Sequence, residues 1–290
     1  MQMFSRIEQL VGRIVNTAKQ VRKCWLAGGV TLVRVTQIQR GQVLKGKRVL
    51  VTGGGSGIGL AIAEKCIEEG ADVLITGRSE SRLRKATEKL NDVHLHSLVW
   101  DVSIVGELNE KLSEAVQIIG GEFDVLVNNA GLLGGNGRFL ELCEERWDEI
   151  TNVNAKGLVF LTQAVVRRWR ASNNRGKIIN MSSMRGSLGV VDGPYGMSKW
   201  GVNGFTQGLG LQLAPHGIIV NGIAPGIVAT DSISIKGVDV GGNAFLKGNP
   251  VARIGLSEEI AEIALFLMSD AANYIVGQTI VCDGGYSLRI

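Results

Sequence analysis

Tyr195 and Lys199 stand four residues apart in the stretch Tyr195-Gly196-Met197-Ser198-Lys199. In a helix, two side chains at that spacing leave the same face one turn apart. A phenol titrates near ~10 in water, too high for a base at neutral pH, and an ammonium within reach favours the phenolate and lowers that value. The two residues are therefore a candidate proton carrier. Such a spacing is common by chance, so the pair needs support from the rest of the chain.

A second candidate site is the turn Thr52-Gly53-Gly54-Gly55-Ser56-Gly57-Ile58-Gly59, which follows an apolar run and precedes a helical pattern. Glycines here let backbone N–H groups at a helix N-terminus approach a pyrophosphate without interference from Cβ atoms. That context, more than the glycines, points to a bound dinucleotide. At the end of the next apolar run, where an NAD site would offer a carboxylate to the adenosine ribose, the chain reads Thr76-Gly77-Arg78-Ser79. Gly77 leaves space, Arg78 suits a 2′-phosphate in shape and charge, and Ser79 adds a donor. The expected cofactor is NADP(H), with NAD(H) as the alternative, since a solvated loop arginine would read the same way.

The elements that must hold these residues are legible as alternating strand-like runs and helical patterns. Strands are expected over Arg48–Thr52, Asp72–Thr76, His94–Trp100, Val125–Asn128, Lys177–Met181, Ile218–Ile223 and Thr279–Cys282, with helices such as Gly59–Glu69, Ser81–Leu90 and Tyr195–Ala214 between them. Strand, helix, strand at this spacing means βαβ units and a parallel sheet with right-handed crossovers. The expected fold is a single doubly wound α/β domain of Rossmann type with a seven-stranded parallel sheet, over residues 46–290.

Ahead of it lies an extension, residues 1–45. Phe4, Ile7, Leu10, Val11, Ile14, Val15, Ala18 and Val21 recur at helical spacing opposite Arg6, Gln9, Arg13, Asn16 and Gln20, which predicts an amphipathic helix. Its readings are an arm packed on its own domain or a sister subunit, a membrane-surface helix, or a processed leader. Val30–Ile38 alternates as a short strand would. Residues 1–48 hold ten Lys/Arg and one acid, so the net charge of +4 over 290 residues conceals a basic start and a mildly acidic remainder. Basic residues confined to an extension argue against a nucleic-acid partner. The four cysteines are scattered, with no pair or His cluster spaced for zinc or a disulfide framework, so no metal is expected and a reducing cytoplasm fits. No apolar run approaches the ~20 residues of a membrane span.

The order of glycine turn, Asp101-Val102, Asn128-Asn129-Ala130-Gly131, Asn154, Ser182-Ser183, Tyr195/Lys199 and Pro225-Gly226 resembles the short-chain dehydrogenase/reductase family over about residues 46–290. The resemblance implies that Gly53, Gly55, Ser56, Gly57, Ile58 and Gly59 cradle the pyrophosphate, that Asp101 and Val102 flank the adenine, and that Asn129, Ala130 and Gly131 line the cofactor. It further implies that Asn154 holds a proton-relay water, that Lys199 bonds the cofactor ribose, and that Pro225, Gly226, Ile227, Val228 and Thr230 close over the nicotinamide. Asn154, Ser183, Tyr195 and Lys199 are then the catalytic set. The family's serine stands three residues before a glycine, which selects Ser183 ahead of Gly186. Many members place it thirteen residues before the tyrosine, however, and here that residue is Ser182. Another departure is Ser56, where many NADP-dependent members carry a basic residue.

These expectations combine as direct hydride transfer between the nicotinamide and a carbonyl or secondary-alcohol carbon. Ser183 bonds the substrate oxygen and Tyr195 gives or takes the proton. The substrate class is a ketone or 3-oxoacyl thioester. The alternatives are an NAD-linked sugar, polyol or sterol dehydrogenase and a non-catalytic nucleotide-sensing scaffold on the same fold. Residues about 228–250 are the expected substrate lid, with Ile233, Ile235, Val238, Val240 and Phe245 suggesting a moderately apolar substrate. Relatives pair through helices like Leu108–Ile119 and Asn154–Trp169, so the resemblance implies a homodimer or homotetramer. His94, His96 and His216 fit no hydrolytic triad.

Overall fold

The computed structural model describes residues 41–134, 139–189, 193–230 and 248–288. The expected helix over residues 4–21, the strand over 30–38 and the central part of the expected lid, 231–247, lie outside them.

Seven parallel strands form one sheet: β1 (Arg48–Thr52), β2 (Asp72–Gly77), β3 (Leu95–Val99), β4 (Val125–Asn128), β5 (Gly176–Met181), β6 (Ile218–Pro225) and, last in the chain, β9 (Thr279–Cys282). Their order across the sheet is β3-β2-β1-β4-β5-β6-β9, so the strand order reverses beside β1, where the first two crossovers go one way and the chain then returns to build the sheet outward the other way from β4. In an open α/β sheet, that reversal opens a crevice at the carboxyl ends of the strands. The register is direct, Val49 opposite Val73 and Val125, and Asn128 opposite Asn180.

Because side chains alternate across a strand, the buried apolar runs feed two cores. Val49, Val51, Val73, Ile75, Val125, Val127 and Ile179 face one side. There they meet α1 (Gly57–Glu68), α2 (Glu80–Leu90) and α7 (Ser257–Met268) through Ile62, Cys66, Leu83, Ile260 and Leu265. Leu50, Leu74, Leu126, Ile178 and Val220 face the other side, against α3 (Leu108–Ile119), α5 (Leu158–Ala171) and α6 (Gly193–Leu213) through Leu112, Ala115, Leu161, Val165 and Leu213. Trp169 of α5 is fully buried there. Its Nε1 donates to Phe123 O at 2.6 Å, and its ring lies so close over Gly176 that a Cβ on Gly176 would sit 2.5 Å from Cη2.

The strand limits shift by a residue or two from the sequence reading. β3 begins one residue late, at Leu95; the His94 carbonyl just before it still accepts from Val73 N at 2.8 Å, and His94 Nδ1 lies 2.7 Å from Asp72 Oδ1. β6 continues to Pro225, and helices α1 and α6 each begin two residues earlier than expected. Two short strands, β7 (Val228–Ala229) and β8 (Gly255–Leu256), pair in a small parallel sheet of their own, unforeseen in the stretch after β6. Ser257 Oγ adds a bond to Ala229 O at 3.0 Å.

The larger correction concerns the helix expected from Asn154 to Trp169. A short helix α4 (Glu144–Thr151) runs into a π turn, Asn152–Gly157, and the α-helical part of α5 begins only at Leu158. Tertiary contact explains the widening. Gly157 packs on the Val102 carbonyl, where a Cβ would come within 2.5 Å of the oxygen, and the side chain of Asn154 is pulled to the Leu132 backbone. Single π turns inside helices recur at functional sites.

Candidate active site

A cleft of about 740 Å³ opens over the carboxyl ends of the strands. At its centre the glycine turn follows β1 directly into α1, with Gly53 and Gly57 at positive φ (66° and 54°), where a side chain would be strained. Thr52 and Asn129 lock this turn to β4. Thr52 Oγ1 accepts from both Asn129 N and Ala130 N at 3.0 Å, and Asn129 Nδ2 donates to Thr52 O (3.0 Å) and Gly53 O (3.1 Å). Its neighbour Asn128 instead faces the interior, bonding Thr162 Oγ1 and Asn180 Oδ1 at 2.8 Å each, while Asn180 Nδ2 continues to Thr206 Oγ1 at 2.9 Å. This buried polar ladder fastens β4 to β5, α5 and α6, the elements that carry the reactive side chains.

The outer end of the cleft is lined by Gly77, Arg78, Ser79, Arg82, Asp101 and Val102 among others. Asp101 Oδ1 closes a turn with Ser103 N and Oγ, and Oδ2 faces Arg78 Nε at 4.0 Å. Ser79 caps α2 by accepting from Arg82 N at 3.3 Å and exchanges a bond with Ser81 Oγ at 3.0 Å, so its hydroxyl is engaged locally. Arg82, absent from the sequence reading, stands one turn after Arg78 and packs beside Gly55. Two arginines and a helix N-terminus therefore meet at this end.

At the inner end Ser182, Ser183 and Tyr195 line the cleft together with Leu132, Leu133 and Val153, three apolar residues the sequence reading did not assign. Lys199 and Asn154 do not line it. Lys199 is buried, its Nζ donating to Met181 O at 2.8 Å and lying 5.8 Å from the centroid of the Tyr195 ring. Burial pushes its ammonium down to about 8. Asn154 is also fully buried: Oδ1 accepts from Leu132 N (2.8 Å), and Nδ2 donates to Leu132 O (2.9 Å) and to Ser198 Oγ (3.3 Å). Both sit just behind Gly131, where a Cβ would lie 3.4 Å from Asn154 Oδ1 and 3.6 Å from Lys199 Nζ.

The two serines differ in what their hydroxyls do. Ser182 Oγ donates to Lys199 O at 3.1 Å, which occupies its single proton. Ser183 Oγ accepts from Arg185 N at 3.2 Å, a bond that uses a lone pair and leaves the O–H proton for another acceptor.

After β6 the chain crosses the cleft mouth, with Pro225, Gly226, Val228 and Thr230 on the lining. Ile227 turns away, to a small cavity beside Met184, Arg253 and Asp283. Thr230 reaches the glycine turn, its Cγ2 only 3.0 Å from where a Cβ on Gly57 would be. Among the described residues no group of three or more His, Cys, Asp or Glu could hold a metal ion, and no helix is long and apolar enough to cross a membrane.

Comparison with known proteins agrees with this geometry. A family model described as enoyl-(acyl carrier protein) reductase matches residues 53–287. The chain is similar to the 3-oxoacyl-(acyl-carrier-protein) reductase FabG of Aquifex aeolicus, 35% identical over 248 residues that cover 83% of this chain and 98% of the relative. It is 34% identical over 260 residues to dehydrogenase/reductase SDR family member 4 of Sus scrofa, covering 88% and 92%. Among solved structures it resembles an Agrobacterium tumefaciens protein assigned as a 2-deoxy-D-gluconate 3-dehydrogenase with bound NADP. That match has a TM-score of 0.77 and 34% identity, over 87% of this chain and all of the other.

Proposed function

This chain belongs to the short-chain dehydrogenase/reductase family and is an oxidoreductase, and from that premise we propose that it reduces a ketone or 3-oxoacyl thioester with NADPH, using Tyr195 as the acid. The observation that carries the reading is convergence: Tyr195 and Ser183 line the same cleft as the glycine turn, with Lys199 and Asn154 directly behind Gly131.

The cleft fits NADPH on its own geometry. Gly53, Gly55, Ser56, Gly57, Ile58 and Gly59 present backbone N–H groups at the start of α1, suited to a pyrophosphate. Arg78 and Arg82 beside the N-terminus of α2 suit a 2′-phosphate, a stronger case than Arg78 alone. Asp101 and Val102 border the adenine end. Asn129, Ala130 and Gly131, with Pro225, Gly226, Val228 and Thr230, enclose the opposite end. NADPH bound here supplies the hydride.

The chain's own residues supply the rest. Ser183 Oγ donates its spare proton to the substrate carbonyl oxygen, stabilising charge as it develops there. Tyr195 Oη delivers the proton that completes the alcohol. Lys199 keeps its ammonium charge near the Tyr195 ring, which favours the phenolate left behind, while Met181 O and Asn154 hold that region in place. Ser182 Oγ serves as an anchor for α6, donating to Lys199 O.

A second reading, a sugar-acid dehydrogenase, is favoured by the likeness to the 2-deoxy-D-gluconate 3-dehydrogenase structure. NADPH consumption by the purified protein, followed with 3-oxoacyl thioesters, keto-sugar acids and simple ketones, separates the two. Turnover of none of them would reject both substrate readings. Exposed Ile118 on α3 and Phe160 on α5 support pairing through those helices, giving the proposed dimer or tetramer, which light scattering tests.

A further inference from the structure

One turn beyond Lys199, helix α6 presents Asn203. Asn203 Nδ2 donates to Gly186 O at 2.9 Å and lies 3.5 Å from Ser187 Oγ. Seventeen residues separate the partners in sequence, so the bond ties the catalytic helix to a different part of the chain. Gly186 is pressed onto α6 so closely that a Cβ there would sit 2.7 Å from Lys199 O and 2.9 Å from Asn203 Nδ2. Only glycine lets the two backbones meet at this distance, and the amide of Asn203 spans the contact.

Gly186 closes the short 3-10 turn Met184–Gly186 that follows Ser183. Gly186 N donates to Ser183 O at 2.8 Å, and Ser183 Oγ accepts from Arg185 N at 3.2 Å. Moving Gly186 therefore moves both the backbone and the hydroxyl of Ser183. On the other side, Ser182 Oγ and Trp200 Nε1 bind Lys199 O (3.1 Å) and Leu188 O (3.4 Å), but neither holds the turn itself. The Asn203 amide reaches the turn directly, at the Gly186 carbonyl.

The amide also shows why asparagine is there. Its Oδ1 is buried with no hydrogen-bond partner among the described residues. An unpaired buried carbonyl is destabilising, so the residue earns its place through the N–H donor facing Gly186.

We propose that Asn203 is a positioning residue for this reaction: by holding Gly186 O, its side-chain amide fixes Ser183 Oγ at the distance from Tyr195 that lets both reach one substrate oxygen. The proposal rests on the assignment of Ser183 above.

The test is a double-mutant cycle with Ser183→Ala and Asn203→Asp, run with NADPH and whichever carbonyl compound of the panel the wild type turns over fastest. Asn203→Asp keeps the shape but sets an acceptor against Gly186 O. It should lower kcat by on the order of 10- to 100-fold, the scale of a small misplacement at a reacting centre. NADPH affinity should be unchanged. In the Ser183→Ala background the same substitution should cost little more, because its route to the chemistry is already gone. A second readout needs no turnover: amide hydrogen exchange at Arg185–Ser187 should speed up in Asn203→Asp while α6 stays protected. Should the aspartate prevent folding, Asn203→Ala carries the same comparisons. Wild-type kcat in the folded variant, a full independent loss in the Ser183→Ala background, or unchanged exchange at Arg185–Ser187 each overturns the proposal. If Ser183→Ala alone leaves kcat untouched, the serine assignment fails first and the positioning role falls with it.

Discussion

The two ends of the cleft are built on opposite principles. At the outer end Arg78, Ser79 and Arg82 are at the surface, and the Arg78 side chain is about half exposed (53%) opposite a longer-range partner, Asp101. At the inner end Lys199, Asn154 and Ser182 are buried, and each is held by a hydrogen bond to backbone. An exposed arginine with a distant partner can turn to a charged ligand with little distortion of the fold. The inner end cannot adjust. In the proposed reaction a proton passes between atoms there that packing holds in place.

Substitution should expose this contrast most sharply at Tyr195. Tyr195→Phe is expected to reduce turnover by roughly 10²- to 10⁴-fold, the usual worth of a positioned proton donor, with NADPH affinity near that of wild type in a fluorescence titration. Turnover within a few-fold of wild type would erase the distinction between the ends.

The inner end also predicts a pH signature in stability. Burial lowers the Lys199 ammonium from 10.5 to about 8, so between those values the unfolded chain holds a proton that the folded chain has released. Over that window the ligand-free protein should gain stability with rising pH relative to Lys199→Met, by up to ~1.4 kcal/mol per unit. Parallel denaturant midpoints for the two proteins across that range would contradict the burial argument.

At the outer end the effects should be smaller and salt-dependent. Arg78→Ala is expected to weaken NADPH roughly 10-fold, about one charge-assisted hydrogen bond to phosphate, while leaving NADH nearly unchanged. Arg82→Ala should behave alike with a smaller loss, and added salt should erode the NADPH preference of the wild type. Equal affinities for NADPH and NADH in wild type and both variants would remove the basis for the NADP assignment.

Legibility in the sequence followed the same division. The glycine turn, the strand segments and the Tyr195/Lys199 spacing could be read because each is a local rule: a turn that excludes Cβ atoms, a short apolar run, a pair one helical turn apart. What could not be read depends on distant partners. Nothing near Lys199 announces that its Nζ will bind Met181 O and sit behind Gly131. The π turn at Asn154 is imposed on a good helical sequence by Leu132 and Val102. The sequence intervals point to both Ser182 and Ser183, and only the fold adds that Ser182 Oγ is engaged at Lys199 O, which supports the proposed role of Ser183. Arg82 had a signal that was available: it follows Arg78 by four residues at the head of a helix, the same spacing that drew attention to Tyr195 and Lys199.

Far from the cleft, Trp169 and Gly176 show how such partnership shapes what the sequence can become. With the indole ring lying where a side chain on residue 176 would go, neither position can change alone. Gly176→Ala must clash with Trp169, and a smaller residue at 169 leaves a hole beside Phe123 and strands its carbonyl. The two sites are thus one heritable unit. In related chains a bulkier residue at the head of this strand should accompany a smaller one at the end of the helix before it, and a chain carrying only one of the two changes should be rare.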